Sequence, residues 1–392
     1  MTIQTITAAA HAAFRAHFDA EPATIAWAPG RLELLGNHTD YNRGHVLSVA
    51  LDLGIAIAAD RSLQRPPRLR AWSEALGEAA EAALDPLEHG TRRWLDYSLG
   101  VLREIAASGV QLPSLCFAIA SSLPLGAGVS SSAALELATA EAAFALAGGR
   151  PADPLDEAKL CQRAETDFVG VPCGLLDQFS SLFGRQDHAL WLDCATLDFE
   201  RCPLGAQHAL LIADTQVKHA LVDGRYARLR RHCDDAARRL GALLGREVPS
   251  LRDVRLDEFL TLAARLDDGD RRRAEHVLRE NARVLEGRDA LRRGEVGRLG
   301  ELMVASHESS RDLFGNSVPE LDRSIEIARR LRGFVGAKLT GGGFGGATAH
   351  LVERASVERY QRELTTAYDR EHERPLCVFV TSAGEGARVV PL

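Results

Sequence analysis

Two glycines, three consecutive serines and the start of a helix fall together in Ser122-Leu-Pro-Leu-Gly-Ala-Gly-Val-Ser-Ser-Ser-Ala-Ala134. Gly126 and Gly128, separated by Ala127 and followed by Val129, permit a tight turn whose main chain can approach an anion closely. Ser130, Ser131 and Ser132 then stand where a helix begins, and the alanine- and leucine-rich run Leu135 to Leu146 is closed by Gly148-Gly149 and Pro151. A glycine turn feeding a helix N-terminus gathers unpaired N–H groups and the positive dipole end, which is the chemistry of phosphate binding. Taken alone, the stretch also reads as an ordinary serine-capped loop. It has neither the Gly-Lys-Ser/Thr of a Walker loop nor the Gly-x-Gly-x-x-Gly of a dinucleotide fingerprint.

Other candidate groups lie far from it. His38, Thr39, Asp40, Tyr41 and Asn42 crowd donors and acceptors between Gly30 and Gly44, the equipment for a polyhydroxylated ligand, or for a solvated turn. Asp177 sits in a mainly apolar setting and Glu165 on a helical run, and each has a plain structural reading as a cap or a surface carboxylate. Five glycines between 341 and 346, followed by apolar Ala347 to Val352, let main chain pass very near another loop or a ligand.

Periodicity supplies the elements that must position these groups. A helix is expected over 2 to 19 and a short strand over Ala23 to Ala28, broken by Pro29-Gly30. Further strands are expected at Val46 to Ala59, Leu115 to Ala120, Ala209 to Ala213 and Ala347 to Val352. Helices are expected at Trp94 to Ala107, with Trp94 and Tyr97 on one face, and at Asp156 to Phe168. From Tyr226 to about Arg311 the pattern is helical and Arg-rich, read as solvated helix faces with no demand for chemistry.

A chain of 392 residues favours two domains, and a composition change places the junction near 205, giving 1–205 and 206–392. The net charge of -7 argues against a nucleic-acid partner, and no apolar run reaches membrane-spanning length or forms a secretory leader. A cytoplasmic protein is expected. The seven cysteines are scattered without a C-x-x-C pair, so neither a disulfide framework nor a zinc site is indicated. Lysine occurs only at 159, 218 and 338, against 44 arginines, which makes each lysine worth inspecting.

Three segments in this order resemble the signatures of the GHMP kinases, and the first resembles that of the galactokinases in particular. Its usual form is Gly-Arg-x-Asn-Leu-Ile-Gly-Glu-His-Thr-Asp-Tyr-Asn, and here it stands as Gly30-Arg-Leu-Glu-Leu-Leu-Gly-Asn-His-Thr-Asp-Tyr-Asn42. Pro124 to Ala134 is similar to the family's phosphate loop, and Lys338-Leu-Thr-Gly-Gly-Gly343 to its third motif. Glu165 to Gln178, and Val217-Lys218 with Tyr226, resemble connecting galactokinase segments.

The resemblance implies an α+β, two-domain GHMP fold. Its N-terminal domain would be like the second domain of ribosomal protein S5, its C-terminal domain ferredoxin-like, with the active site in the cleft between them. It implies ATP-dependent phosphorylation of galactose at the anomeric hydroxyl, with ATP and Mg²⁺ required, no membrane or nucleic-acid partner, and a monomer. Carried over by motif, Asp177 would face the sugar hydroxyl and Arg31 would offset phosphate charge. Asn37, His38, Thr39, Asp40, Gly174 and Tyr226 would contact sugar. Gly126 through Ser132 (Gly126, Ala127, Gly128, Val129, Ser130, Ser131, Ser132) would cradle the triphosphate, Trp94 and Tyr97 would flank adenine, and Ser132 with Glu165 would hold the metal.

Two polar positions depart from the signature: Asn37 stands where glutamate is usual, and Glu33 where asparagine is. Loss of a carboxylate at 37 would remove repulsion of a uronic acid, so a kinase acting on galacturonate is a second reading. A catalytically silent galactose sensor is a third, set against the intact Ser130 to Ala134, Asp177 and Arg31.

Overall fold

The computed structural model describes residues 2–85, 87, 93–124, 126–218 and 224–391. Before residue 205 come strands β1 (Thr24–Leu35), β2 (His45–Ser62), β3 (Arg68–Ser73), β4 (Glu78–Ala83), β5 (Ser114–Ser121), β6 (His188–Asp193) and β7 (Phe199–Pro203). After it come β8 (His208–Lys218), β9 (Phe334–Leu339), β10 (Gly345–Glu353), β11 (Cys377–Thr381) and β12 (Arg388–Val390). The helices are α1 (Ile3–Phe18), α2 (Arg93–Ala107), α3 (Ser131–Ala147), α4 (Pro154–Arg163), α5 (Leu176–Phe183), α6 (Arg225–Leu244), α7 (Leu256–Leu262), α8 (Asp268–Arg292), α9 (Val296–Ser309), α10 (Pro319–Ala328) and α11 (Val357–Asp369).

The first sheet runs β12-β1-β2-β5-β3-β4, with β6 joined to β2 and β7 to β6. Strand alternation sorts its side chains between two cores. Ala26, Ala28, Ile55, Ile57, Phe117 and Ile119 face the main core under α2 and α3, whereas Ile25, Trp27, Ala56, Ala58, Ala118 and Ala120 face α1. Nearly every described side chain of α3 is buried, and its many alanines let sheet and helices close on it from all sides. The helix that carries the serines is therefore the most enclosed helix of the N-terminal half.

The second sheet, β11-β8-β10-β9, is antiparallel throughout. A boundary at 205 divides the two sheets in sequence, yet the chain end crosses back: Ala383 bridges to Leu51, and β12 pairs with β1. Among the described residues no helix is long and apolar enough to cross a membrane, and all seven cysteines are free.

Two local expectations are corrected. β1 continues through Pro29-Gly30 with a shift of register, because the bulge admits the phosphate-loop segment: Arg31 N donates to Val129 O at 3.0 Å, and a Cβ at Gly30 would fall 2.6 Å from that same oxygen. The helix expected over 156 to 168 ends at Arg163, and a wide π turn over Ala164–Val169 follows. Such a turn re-aims side chains, here Glu165, which is buried.

Candidate active site

Three depressions run into one another across the face where the two sheets meet. The first, an open cleft of about 560 Å³, is lined by Arg31, Glu33, Asp40, Asp177, Tyr226 and Gly341 among others. The second follows Gly126 to Ser132 and shares Arg31, Asp177, Gly341 and Gly342 with the first. The third, a mainly apolar slot, lies between Trp94, Tyr97, Ile55 and Leu135 and shares Ser131 and Ser132 with the second. A polar cup, an anion groove and an aromatic slot thus lie in line, with Arg31 and Asp177 at the first junction.

The geometry of that junction is tightly determined. Arg31 Nε donates to Asp177 Oδ1 at 2.8 Å, and its Nη1 donates to Gly128 O at 2.7 Å, so one guanidinium ties the carboxylate to the glycine turn. Ser130 adopts φ 57 ahead of α3, and its hydroxyl donates to Asp177 Oδ2. Both carboxylate oxygens are therefore oriented by protein donors. The turn is pressed from above by the glycine loop between β9 and β10: a Cβ on Gly128 would lie 3.3 Å from Thr340 O, and one on Gly341 3.3 Å from Gly128 Cα. Glycine at both positions is what permits this approach.

Next to the groove, Ser132 lies beside Glu165, whose carboxyl is pushed up by burial and by the charge of Asp177. Gln178 Nε2 bridges Glu165 Oε2 at 2.7 Å and Glu136 Oε2 at 2.9 Å. Glu136 lies one turn along α3 from Ser132 and is fully buried, with Oε1 meeting no partner among the described residues. Among the described residues there is no cluster of three His, Cys, Asp or Glu able to hold a metal alone. A hydroxyl beside a carboxylate instead suits a hard cation that takes its remaining oxygens from phosphate and water.

Comparison with known proteins accords with this arrangement. Residues 12–61 match the model described as galactokinase galactose-binding signature, 96–185 the GHMP kinases N terminal domain, and 288–370 the GHMP kinases C terminal. The chain is 38% identical over 398 residues to the galactokinase of Homo sapiens, covering 100% of this chain and 98% of that one. To the galactokinase of Roseiflexus sp. (strain RS-1) it is 38% identical over 373 residues, covering 95% and 94%. The chain belongs to the galactokinase family.

The crystal structure of Lactococcus lactis galactokinase complexed with galactose superposes with a TM-score of 0.88 at 29% identity, covering 97% of this chain and 98% of that one. Methanococcus jannaschii mevalonate kinase, at a TM-score of 0.65 and 19% identity over 92% and 98%, shares the fold. The chain thus has the two-domain GHMP kinase fold, and it is a kinase.

Within this galactokinase framework the expected sugar contacts separate into two groups. Asp40 and Tyr226 line the cleft, and Gly174 makes room beside Asp40, since a Cβ there would fall 2.2 Å from Asp40 Oδ2. Burial, with the charges of Asp177 and Glu33, pushes the Asp40 carboxyl up to about 6. Thr39 is a correction: its fully buried hydroxyl is spent on Gly36 O at 2.7 Å and His45 O at 2.6 Å, so it shapes the loop and does not line the cleft.

Asn37 and His38 line the cleft but are consumed by the protein. Asn37 Nδ2 donates to Gly341 O at 2.9 Å, and Oδ1 accepts from Asn316 at 2.9 Å and Ser310 at 3.2 Å. His38 lies at 3.2 Å from Gly342 O through Nε2, so that nitrogen is the donor, and Nδ1 accepts from Tyr41 at 3.1 Å. Burial holds the imidazole neutral, its pKa lowered to about 3. Asn37, expected to decide which sugar is taken, is foremost a tie between the signature loop and the C-terminal half.

Ser130, Ser131 and Ser132 all line the groove, and the Ser130 hydroxyl is turned toward Asp177. Trp94 and Tyr97 flank the slot, and Trp94 Nε1 is bonded to Glu78. Leu125 of the phosphate-loop motif and the Lys218 side chain lie outside the described residues.

The helical stretch thought to need no chemistry holds the groups that position the signature loop. From α8, Glu280 Oε1 accepts from Gly36 N at 2.9 Å and from Ser306, and it is paired with Arg283 through Oε2. His276 Nε2 meets Asn37 O at 3.0 Å, and Phe314 stacks on His38 at 4.2 Å. A signal for the first two was present: positions 276, 280, 284, 287 and 291 continue one buried helical face on which a histidine and a glutamate are out of place.

Proposed function

We propose that the chain transfers the γ-phosphoryl group of ATP to the anomeric hydroxyl of D-galactose, giving α-D-galactose 1-phosphate. The observation that carries this reading is the junction: Asp177 and Arg31 belong at once to the polar cleft and to the phosphate-loop groove. Only there would a sugar hydroxyl and a transferring phosphoryl group meet. Asp177 accepts or orients the hydroxyl proton, held by Arg31 and Ser130 so that little reorganisation is needed. Arg31 offsets charge on the phosphoryl oxygens, the N–H groups of Gly126 to Ser132 cradle the phosphates, and Trp94 with Tyr97 flank adenine.

Ser132 and Glu165 would hold Mg²⁺, whose charge would neutralise the phosphates. Ser132→Ala and Glu165→Gln should each raise the Mg²⁺ concentration for half-maximal rate about tenfold or more, while KM for galactose moves little. An unchanged Mg²⁺ titration in both would remove this assignment.

Asp40 accepts hydrogen bonds from sugar hydroxyls in its ionised form. Since its pKa is raised to about 6, the carboxylate is protonated as pH falls through that value. KM for galactose should therefore rise between pH 7 and 5, and Asp40→Asn should have a raised KM that is flat over that range.

The test of the whole reading is a panel of galactose, glucose and galacturonate assayed with ATP and Mg²⁺. Strong turnover of galactose with little of galacturonate is expected; the reverse order establishes the uronate kinase, and binding without turnover the sensor.

A further inference from the structure

Of the three carboxylates that line the cleft, Glu33 alone has no part in the proposed transfer or in holding the sugar. It stands two residues beyond Arg31 on β1, hence on the same face of the strand, is 4% exposed, and lines the cleft with Asp40 and Asp177. Its Oε1 accepts from Lys338 Nζ at 2.7 Å. Lys338, on β9, is fully buried and spends a second proton on Leu339 O at 2.8 Å. The ammonium thus holds one oxygen of Glu33 from behind and presents no charge of its own to the cleft. Oε2 accepts from no protein donor among the described residues and is not an enclosed orphan.

The neighbours narrow the possibilities. Asn37 has both ends of its amide occupied, His38 both ring nitrogens, and the carbonyls of Gly341 and Gly342 are taken by Asn37, His38 and Asn316. Asp177 is already engaged by Arg31 and Ser130. Most polar groups around the cup are therefore committed to the protein, and the unengaged Glu33 oxygen is left for ligand. A buried pair that served stability alone would not need one oxygen open to a cleft.

We propose that Glu33, oriented by Lys338, is a specificity-determining residue: Oε2 accepts a hydrogen bond from one hydroxyl of the monosaccharide, and its charge excludes sugars that carry a carboxylate. This rests on the reading of the cleft as a sugar site. It also assigns the discrimination against uronic acids, expected at position 37, to position 33.

The experiment compares kcat/KM for galactose, the four monodeoxygalactoses lacking the 2-, 3-, 4- or 6-hydroxyl, and galacturonate in the unsubstituted enzyme and in Glu33→Gln. The variant should lose about 10- to 100-fold on galactose, through KM rather than kcat. The deoxy sugar lacking the bonded hydroxyl should be handled equally by both enzymes, and galacturonate should improve in the variant. A common loss across all deoxy sugars, or no loss on galactose, would overturn the assignment.

Should Glu33→Gln fail to fold because Lys338 is left unpaired, the double variant Glu33→Gln/Lys338→Met removes both buried charges and is read on the same panel by the same criteria. Failure of the sugar reading is distinguishable, because the unsubstituted enzyme would then turn over none of the neutral sugars.

Discussion

Asp177→Asn is expected to lower kcat about 10³-fold, with KM for galactose and ATP within a few-fold of the unsubstituted values. Asparagine keeps the shape of the side chain, so an amide oxygen still accepts from Arg31 Nε, and the link from Arg31 to Gly128 O is untouched. What is removed is the charge and basicity at the one carboxylate shared by the two clefts. The loss therefore belongs to the chemical step, and the thermal unfolding midpoint should hardly move. Steady-state kinetics with both substrates, beside a thermal melt, check this. A kcat within about tenfold of the original would show that Asp177 neither takes nor orients the proton.

Glu280→Gln is expected to have the largest effect on stability, a loss of about 3–5 kcal/mol, together with a raised KM for sugar. The carboxylate answers Arg283, Ser306 and the main chain of Gly36 in a site with no exposure. Burial works against its charge, yet Arg283, His276 and Lys338 outweigh burial and bring the pKa down to about 2. A depressed carboxylate pKa stabilises the fold fully above the unfolded value near 4.5, and that contribution fades as pH falls toward 2. The gap in unfolding free energy between the two proteins should thus be largest at neutral pH and shrink below about 4.5, by roughly 3 kcal/mol in all. Denaturant titrations at several pH values measure it. A pH-independent gap would mean that Glu280 acts through shape alone.

The kinetic part of that prediction follows from Asn37. Its N–H lies at 3.4 Å from Glu280 Oε1, its carbonyl meets His276, and its side chain meets Gly341, Ser310 and Asn316. The signature loop is held in place from the C-terminal half, so a defect on α8 reaches the sugar cup without any contact between α8 and ligand.

Much of this protein was legible in its residues before any coordinates. Turn glycines beside a helix start, alternating strands and the alanine-rich α3 are local patterns, and local physics governs them. The three signature segments named the family and the groups around the phosphate groove because each keeps its chemistry within a dozen residues. What lay beyond reach was which side chains would be spent on the protein itself. Thr39, Asn37 and Ser130 read as ligand contacts because they are polar and in a binding motif, yet partners as distant as residues 177, 316 and 341 claim their hydrogen-bonding capacity. Glu33 read as a mere departure from pattern until the pairing of β9 with β10 delivered Lys338 behind it. Sequence by itself determined the most regular elements, the family and the glycine-serine loop at the start of α3. Only the tertiary structure decided which polar groups remain free to meet a ligand, because a donor or acceptor can be counted as available only after every neighbour brought in by long-range packing has taken its share.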